Sequence, residues 1–431
     1  MALLFTGRNL LKGNSATVLA KASTGAVIRK SSWWSHVEEG PPDVIFGVVE
    51  AYNRDDHPQK VNLGIGAYRD DNGKPWVLPV VRKAEKMLQE KELDKEYAGI
   101  MGYETFRKAA AKLAFGPQGD FIENGLYTTA QTISGTGALR LAANYLKKYF
   151  PYDKKVYVPD RTWGNHVPVL SHAGLATDTY KYYNPNTCMF DPEGAYDSLK
   201  NLPKNSLVLF HACAHNPTGA DPYPEHWEEI SKICKDRNHF IFIDMAYQGY
   251  ATGDLNRDAF AVRQFVKDGH KLLLTQSFAK NMGLYGERVG AMTILTDSKE
   301  ETKAVESQVK IIIRPMWANP PINGARIATI ILSTKELYDQ WLVEVKSMAD
   351  RTILMRERLH EGLEKEGSKL NWSHITGQIG MFCFSGLNEQ QVQRLRDDFH
   401  IYMTKDGRIS IVALTTKNVD YVAKAIHEVT K

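Results

Sequence analysis

The segment from 239 to 250 reads HFIFIDMAYQGY, and the segment from 272 to 290 reads LLLTQSFAKNMGLYGERVG. Each contains a short apolar run of strand length, which predicts a buried strand. Asp244 closes the first run and Lys280 follows the second. Because open α/β sheets bind ligands outside the carboxyl ends of their strands, we expect both side chains to lie at one edge of a sheet.

Similar runs alternate with amphipathic stretches from about Thr128 to Thr296. This alternation is typical of repeated βαβ units, so it predicts an α/β fold with a mostly parallel central sheet flanked by helices. A helix is expected directly after the first strand, because Leu139, Ala142 and Leu146 recur at helical spacing. The predicted strands cover residues 127–133, 155–158, 206–210, 239–243, 271–276 and 289–295.

Residues 335–366 form a long amphipathic pattern that Gly367 ends, which predicts a helix long enough to connect two lobes. Beyond it, strands near 381–384 and 409–412 and two further helices predict a smaller α+β domain. The expected organisation is a transit peptide at 1–30, an N-terminal arm and part of the small domain at 31–75, a large domain at 76–345 and the small C-terminal domain at 346–431.

The composition narrows the class of protein. A chain of 431 residues with 43% hydrophobic content can bury a large core. No apolar run approaches the roughly 18 residues of a membrane span, so no integral membrane segment is expected. The four cysteines have neither the spacing of a zinc site nor the clustering of a disulfide framework.

The net charge of +4 is unevenly distributed. Residues 1–37 carry five positive charges and no acid, so the remainder has a net charge of −1 and nucleic-acid binding is not expected. The basic, Ser-containing, acid-poor leader is typical of a mitochondrial transit peptide, cleaved near 29–32. A disordered basic tail is the alternative.

The pairing of Lys280 with Asp244 indicates a pyridoxal-phosphate site. A lone lysine at a strand end is commonly just solvated. Pyridoxal phosphate, however, needs a lysine for its Schiff base and an acid beside its pyridine nitrogen, which keeps the ring protonated as an electron sink. We therefore predict that Lys280 and Asp244 bind this cofactor.

A phosphate site is predicted beside this pair. The strand at 127–133 runs into SGTGALRLAANYLKK at 134–148, whose small residues let amides and hydroxyls approach an anion at a helix N-terminus. An ordinary helix cap explains Ser134 or Thr136 equally well. Ser277 and Arg288 add a hydroxyl and a fork-shaped donor, and this favours a phosphate cup.

Other polar and aromatic residues stand at strand ends. Asn216 in FHACAHNPTG and Tyr247 could hydrogen-bond the cofactor's phenolic oxygen, and Trp163 in RTWGNH could cover its ring. A core position is an equal alternative for Trp163. No metal site is predicted at His211 and His215, because no third ligand is evident.

These motifs resemble the fold-type I pyridoxal-phosphate-dependent aminotransferases, and among them the aspartate aminotransferase family, from about Trp33 to the C-terminus. The resemblance implies Lys280 as the imine lysine and proton carrier, and Asp244 beside the pyridine nitrogen. It places Tyr247 and Asn216 at the phenolic oxygen and Trp163 on the ring. For the phosphate it implies Ser134, Gly135, Thr136, Ser277 and Arg288.

The substrate residues also follow from the resemblance. Arg408 in DGRIS would bind the α-carboxylate, and Gly66 in NLGIGAYRDD would lie beside the substrate. Arg314 in IIIRPMWANPP would bind the distal carboxylate in the neighbouring subunit, and Tyr97 in EYAGIMGY would reach the partner's phosphate. Ala318 departs from the family, which often has serine there.

The resemblance implies a mitochondrial-matrix homodimer with shared active sites. It would move an amino group from aspartate to 2-oxoglutarate, with dicarboxylic amino acids and 2-oxo acids as substrates. One alternative is another pyridoxal-phosphate reaction on this scaffold, such as β-elimination, decarboxylation or aromatic transamination. Arg314 argues against it, because a second guanidinium favours dicarboxylates. A non-catalytic fatty-acid carrier is the other alternative, and the Lys280 and Asp244 pair disfavours that as the sole role.

Overall fold

The computed structural model describes residues 32–40, 44–116 and 120–431, so the predicted transit peptide lies outside the described residues. The chain separates into two units, Met1–Pro42 and Asp43–Lys431. In the described part of the first unit, the Val37 N–H donates to the Trp34 carbonyl at 3.0 Å and closes a turn. The helices and strands given below belong to the second unit.

The helices are α1 Val44–Arg54, α2 Pro79–Glu90, α3 Glu104–Phe115, α4 Asp120–Glu123, α5 Ser134–Tyr149, α6 His166–Ser171, α7 Pro192–Asn201, α8 Pro224–Asp236, α9 Leu255–Asp258, α10 Phe260–Lys267, α11 Lys299–Trp317, α12 Asn323–Ser333, α13 Lys335–Lys365, α14 Ser373–Gly377, α15 Glu389–Phe399 and α16 Val419–Thr430. The strands are β1 Val61–Asn62, β2 Tyr127–Ile133, β3 Lys155–Pro159, β4 Ala176–Tyr180, β5 Tyr183–Asn184, β6 Met189–Phe190, β7 Leu207–His211, β8 Phe240–Met245, β9 Leu272–Ser277, β10 Val289–Leu295, β11 Phe382–Phe384, β12 Ile401–Tyr402 and β13 Arg408–Ser410.

A seven-stranded sheet in the order β2-β10-β9-β8-β7-β3-β4 forms the centre of the second unit. β10 runs antiparallel to both of its neighbours, and the pairs from β9 to β4 are parallel. The predicted mostly parallel α/β fold is therefore confirmed. The predicted strand at 409–412 is wrong in part, because the chain leaves β13 at Ser410 and turns through a 3₁₀ helix at Ile411–Ala413. The edge strand β4 was not predicted, because its ATDTY sequence is polar and largely exposed.

Helices cover both faces of this sheet. Along β7, alternate residues enter different cores: Leu207 and Leu209 pack with α5 and α11, while Val208 and Phe210 pack with α8 and α10. A strand covered on both faces reads as a continuous apolar run, which is why β7 to β9 are recognisable in the sequence. Polar groups lie at the edge of the sheet where β7, β8 and β9 end.

Helix α13 connects two cores. Trp341 and Val345 in its first half are buried with α2, α3 and α12, whereas Leu359 and Leu363 in its second half are buried with α15, α16 and Leu63 of the N-terminal segment. β1 pairs with β12, so residues before the large sheet join the C-terminal lobe. Along α13, the buried residues change from one core to the other. We propose that the boundary between the large and small domains lies at this change.

Candidate active site

The carboxyl ends of β7, β8 and β9 open into a cavity of about 220 Å³. Among the residues that line it, Asp244 is the only acid, and Lys280 and Arg288 are the two strong bases. The predicted site residues that line it are Ser134, Gly135, Thr136, Trp163, Asn216, Asp244, Tyr247, Ser277, Lys280 and Arg288. The structure thus brings together segments that lie more than 150 residues apart in the sequence.

One end of the cavity is a cradle of donors at the start of α5. The Ser134 and Ser277 hydroxyls lie 3.2 Å apart, and the N-cap residue of α5 is Ile133, which has no side chain able to cap the helix. The Ser134 N–H donates to the Arg288 carbonyl at 3.1 Å, which leaves the next amides of α5, at Gly135 and Thr136, for an anion. Ser134 therefore does not act as an ordinary N-cap. Arg288 borders the same cradle.

Two glycines permit this close packing. A Cβ at Gly290 would meet the Ser134 carbonyl carbon at 2.4 Å, and one at Gly135 would lie 3.1 Å from the Ser277 Cβ. Ser134 and Arg288 themselves have φ of 58° and 54°. Left-handed backbone at non-glycine residues costs free energy and is concentrated at functional sites, so the cradle has the character of a binding loop.

Lys280 follows β9 at the other side of the cavity. Burial and the nearby positive charge of Arg288 lower the pKa of its amine to about 8, and the Asp244 carboxylate opposes this shift. A lysine is nucleophilic only when it is neutral, so this environment prepares the amine for attack on a carbonyl near physiological pH.

Asp244 is held within the sheet by its neighbours. In the parallel register, Asp244 lies between His211 on β7 and Thr275 on β9. The Thr275 hydroxyl donates to Asp244 Oδ1 at 2.9 Å. A carboxylate that accepts such a hydrogen bond is fixed in orientation.

A chain of hydrogen bonds connects Asp244 to Asn216. His166 Nε2 lies 3.2 Å from Asp244 Oδ2, and Thr162 Oγ1 lies 2.7 Å from His166 Nδ1 and 3.0 Å from His211 Nε2. The Asn216 N–H donates to His211 Nδ1 at 3.4 Å. If His211 is neutral, every donor in this series of hydrogen bonds has one acceptor.

Burial supports that assignment, since it lowers the pKa of His211 well below the ordinary value, as do the charges of His215 and His166. With His211 neutral and its Nδ1 accepting from Asn216, the proton is on Nε2. The Thr162 hydroxyl then donates to His166, and His166 donates to the Asp244 carboxylate. Through this relay of hydrogen bonds, Asp244 Oδ2 accepts one bond from His166.

Of the remaining predicted residues, Tyr247 lines the cavity, whereas Arg408 and Gly66 are not among its lining residues. Burial raises the pKa of the Tyr247 phenol well above its ordinary value, and the charge of Arg408 opposes this. Arg408 is buried, its Cζ lies 4.3 Å from the centre of the Phe382 ring, and its Nε has no hydrogen-bond partner. A buried guanidinium with an unsatisfied donor is ready to bind a carboxylate. A Cβ at Gly66 would lie 3.7 Å from the same Phe382 ring.

Tyr97 and Arg314 do not line this cavity. Tyr97 is 85% exposed, and Arg314 is exposed near the C-terminal end of α11. Asn319 connects Arg314 to the residue after Tyr97. Its side chain accepts from Arg314 Nη1 at 3.4 Å and donates to the Ala98 carbonyl at 2.6 Å. Ala318 follows α11 with φ of 61°.

The lining residues fit pyridoxal phosphate. The cradle offers hydroxyls, helix amides and a guanidinium to a phosphate, Asp244 offers a carboxylate to a pyridinium, and Lys280 offers an amine to an aldehyde. Within the described ranges, no set of three His, Cys, Asp or Glu side chains could hold a metal ion. In those ranges, too, no helix is long and apolar enough to cross a bilayer.

Comparison with known proteins identifies the family. A sequence model described as Aminotransferase class I and II matches residues 58–426. The chain belongs to this aminotransferase family. A curated relative in Xenopus tropicalis, named mitochondrial aspartate aminotransferase, is 58% identical over 403 residues, covering 94% of each chain. The resemblance drawn from the sequence motifs, and the mitochondrial location predicted from the leader, are thereby confirmed.

Solved aminotransferases share the fold. A mitochondrial aspartate aminotransferase from Trypanosoma brucei has a TM-score of 0.86 and 42% identity, covering 89% of this chain and 100% of its own. An aromatic-amino-acid aminotransferase from Burkholderia pseudomallei, described as covalently bound to pyridoxal phosphate, has a TM-score of 0.91 and 40% identity, covering 93% and 100%. Membership of the aminotransferase family confirms the predicted cofactor, pyridoxal phosphate. The roles of the individual residues stay predictions.

Three residues of the aminotransferase site were not predicted in these positions. His166 and Thr162 complete the relay to Asp244. His211, at which the sequence predicted no metal site, lines the cavity. The available signal was the segment RTWGNH, which follows the end of β3 as the other site segments follow their strands.

Proposed function

We propose that this aminotransferase transfers the amino group of L-aspartate reversibly to 2-oxoglutarate and forms oxaloacetate and L-glutamate in the mitochondrial matrix. The observation that carries the proposal is the pairing of Lys280, with a pKa near 8, with the single acid Asp244 across one cavity. The names of the homologous proteins, together with Arg314 and Arg408, indicate dicarboxylic amino acids as the substrates.

The bound cofactor supplies an aldehyde for the amine and a ring that takes up the electrons of a broken Cα–H bond. Its phosphate would be held by the cradle around Ser134 and Arg288, with Gly135, Thr136 and Ser277. Asp244 would keep the pyridine nitrogen protonated, and the relay through His166 keeps the carboxylate oriented. Tyr247 and Asn216 would hydrogen-bond the phenolic oxygen, and Trp163 would cover the ring.

Lys280 has two roles in this proposal. Its neutral amine would hold the cofactor covalently. When it is free, the same amine would take the proton from the substrate Cα and later release it. A pKa near 8 matches this exchange, because the amine can both bind and release a proton near neutral pH.

Arg408 would bind the α-carboxylate. Its buried guanidinium has an unsatisfied Nε and packs on Phe382, whose ring also lies against the backbone at Gly66. An oriented carboxylate fixes the direction of the Cα–H bond relative to the cofactor ring, and this orientation decides which bond breaks.

The distal carboxylate would be bound by Arg314 from a second copy of the chain. Arg314 and Tyr97 are both exposed and do not line the cavity of their own subunit, and Asn319 connects Arg314 to the Ala98 carbonyl beside Tyr97. Exposed residues that match functional positions of the family are explained by a homodimer in which each subunit completes the partner's site.

Borohydride reduction and peptide mapping test the assignment of Lys280. Reduction of the cofactor-bound protein should fix the cofactor on the peptide that contains Lys280, and Lys280→Arg should remove the label. Label on another lysine in the wild type would overturn the assignment.

A substrate panel tests the reaction. The fold is shared with an aromatic-amino-acid enzyme at a TM-score of 0.91, so aromatic transamination is the rival. We expect kcat/KM to be highest for aspartate and glutamate. Higher values for phenylalanine or tyrosine would favour the rival.

A further inference from the structure

Tyr285 lies in the loop between β9 and β10, between Lys280 and Arg288, and contacts three parts of the active site. Lys280 Nζ lies 5.2 Å from the centre of the Tyr285 ring. Arg288 Nη1 donates to the Tyr285 carbonyl at 3.0 Å. The Tyr68 N–H donates to the Tyr285 hydroxyl at 2.9 Å.

The last of these bonds joins two distant segments. Tyr68 and Tyr285 are 217 residues apart, and Tyr68 belongs to the segment that leads from β1 past Gly66. At the other end of this segment, the Gly64 carbonyl accepts from Arg408 Nη2 at 3.4 Å. The backbone around Gly66 is therefore held by Arg408 on one side and by Tyr285 on the other.

The Tyr285 hydroxyl is suited to a structural role that does not change with pH near neutrality. Burial raises the pKa of Tyr285 to about 12, so the hydroxyl stays neutral, and the hydrogen bond from Tyr68 opposes the shift. The Tyr68 ring packs against Trp76 and Tyr250, with centroid distances of 5.8 and 6.3 Å. The donor and the acceptor are thus both anchored by their surroundings.

We propose that Tyr285 is a positioning residue. Its hydroxyl holds the 64–68 segment at a set distance from the loop between β9 and β10, which contains Lys280. The backbone at Gly66, on the substrate side of the site, is fixed in this way. This inference rests on the proposed function, which places Gly66 beside the substrate. The contacts to Lys280 and Arg288 come from the ring and the carbonyl, so the hydroxyl can be removed without removing them.

Tyr285→Phe is the test, with Tyr421→Phe as the matched control. Tyr421 also forms one hydroxyl bond to backbone, at 2.7 Å to the Phe399 carbonyl, within the C-terminal lobe. A hydrogen bond of about 1 kcal/mol corresponds to roughly a fivefold change. For Tyr285→Phe we expect KM for aspartate and 2-oxoglutarate to rise about three- to tenfold, with kcat changed less than about twofold.

Two further measurements do not depend on turnover. Hydrogen exchange of the peptide that contains Tyr68 should become at least about threefold faster in Tyr285→Phe and stay unchanged in Tyr421→Phe. The affinity for pyridoxal phosphate should stay the same in both variants, because the Arg288 contact uses the Tyr285 carbonyl. Unchanged exchange at Tyr68, or equal KM in the two variants, would overturn the proposal.

The two proposals fail separately. If the wild-type protein does not transaminate aspartate, the proposed function is wrong, while the exchange of the Tyr68 peptide still decides whether Tyr285 holds the segment. If the wild type is active on aspartate and Tyr285→Phe behaves as Tyr421→Phe does, only the role of Tyr285 is wrong.

Discussion

His166 Nε2 lies 3.2 Å from Asp244 Oδ2, although the two residues are 78 positions apart in the sequence. His166 is fully buried, and Thr162 fixes its other ring nitrogen. The imidazole therefore presents one N–H to the carboxylate that we assign to the pyridine nitrogen.

Removing the Asp244 carboxylate should leave the cofactor bound and abolish most turnover. In Asp244→Ala the cradle around Ser134 and Arg288 is intact, but an unprotonated pyridine is a poor electron sink. We expect kcat to fall at least about a hundredfold, as for the loss of other preorganised electrostatic groups. Cofactor absorbance and steady-state rates measure both effects, and near-normal turnover would rule out this role.

His166→Leu should lower kcat too, but by a smaller factor than Asp244→Ala. It removes one hydrogen bond to the carboxylate and keeps the charge, so a fall in kcat of about tenfold is expected, equivalent to roughly 1.4 kcal/mol. The steady-state kcat of His166→Leu, measured beside that of Asp244→Ala, tests this. An effect as large as that of Asp244→Ala would contradict the ranking.

The reactivity of Lys280 should titrate near pH 8. Because its pKa is lowered to about 8, the amine in cofactor-free protein should be half neutral there, and its acylation should rise with pH up to and through this range. Mass-spectrometric labelling of the Lys280 peptide at a series of pH values measures the midpoint.

Two variants should move this midpoint in opposite directions. Arg288→Gln removes a charge that lowers the pKa of Lys280, so the midpoint should rise. Asp244→Asn removes a charge that raises it, so the midpoint should fall. Shifts in the same direction would show that charge at these two positions does not control Lys280.

Hybrid dimers should test the shared site. Lys280→Ala and Arg314→Ala subunits are each expected to be nearly inactive alone. In a mixed dimer, one site has both Lys280 from one subunit and Arg314 from the other, so random mixing should restore roughly a quarter of wild-type activity. Mixtures as inactive as their parents would exclude Arg314 acting in the partner's site.

Substrate specificity should depend on Arg314. A charge-assisted bond contributes about 1.5–3 kcal/mol, and breaking a buried pair costs roughly 3–5 kcal/mol. Arg314→Ala should therefore lower kcat/KM for aspartate by about two to four orders of magnitude. Alanine and phenylalanine, which lack the distal carboxylate, should change far less. Arg314→Asp should favour arginine or lysine as donors.

Arg408→Ala is the control for this comparison. Every amino acid has the α-carboxylate, so kcat/KM should fall for all substrates together. The measurement is kcat/KM for aspartate, alanine, phenylalanine and arginine on the wild type and the three variants. Equal losses for aspartate and alanine in Arg314→Ala would mean that Arg314 has only a structural role.

The sequence by itself determined the class of fold and the main chemical groups. The strands β2 and β10 have the predicted bounds, and α13 ends one residue before the predicted end. These elements were predictable because their apolar periodicity is local and continuous. Asp244, Lys280 and the Ser134 segment were predictable for the same reason, since each lies at or just beyond the end of such a run and parallel strands end at a common edge.

Only the tertiary structure decided which polar groups meet at that edge. The hydrogen bonds from His166 to Asp244 and from Tyr68 to Tyr285 join segments 78 and 217 residues apart, and no periodicity encodes such pairs. The antiparallel direction of β10 and the polar edge strand β4 were also decided by packing. Local sequence sets which residues end a strand, whereas the register between strands sets the partners of their side chains.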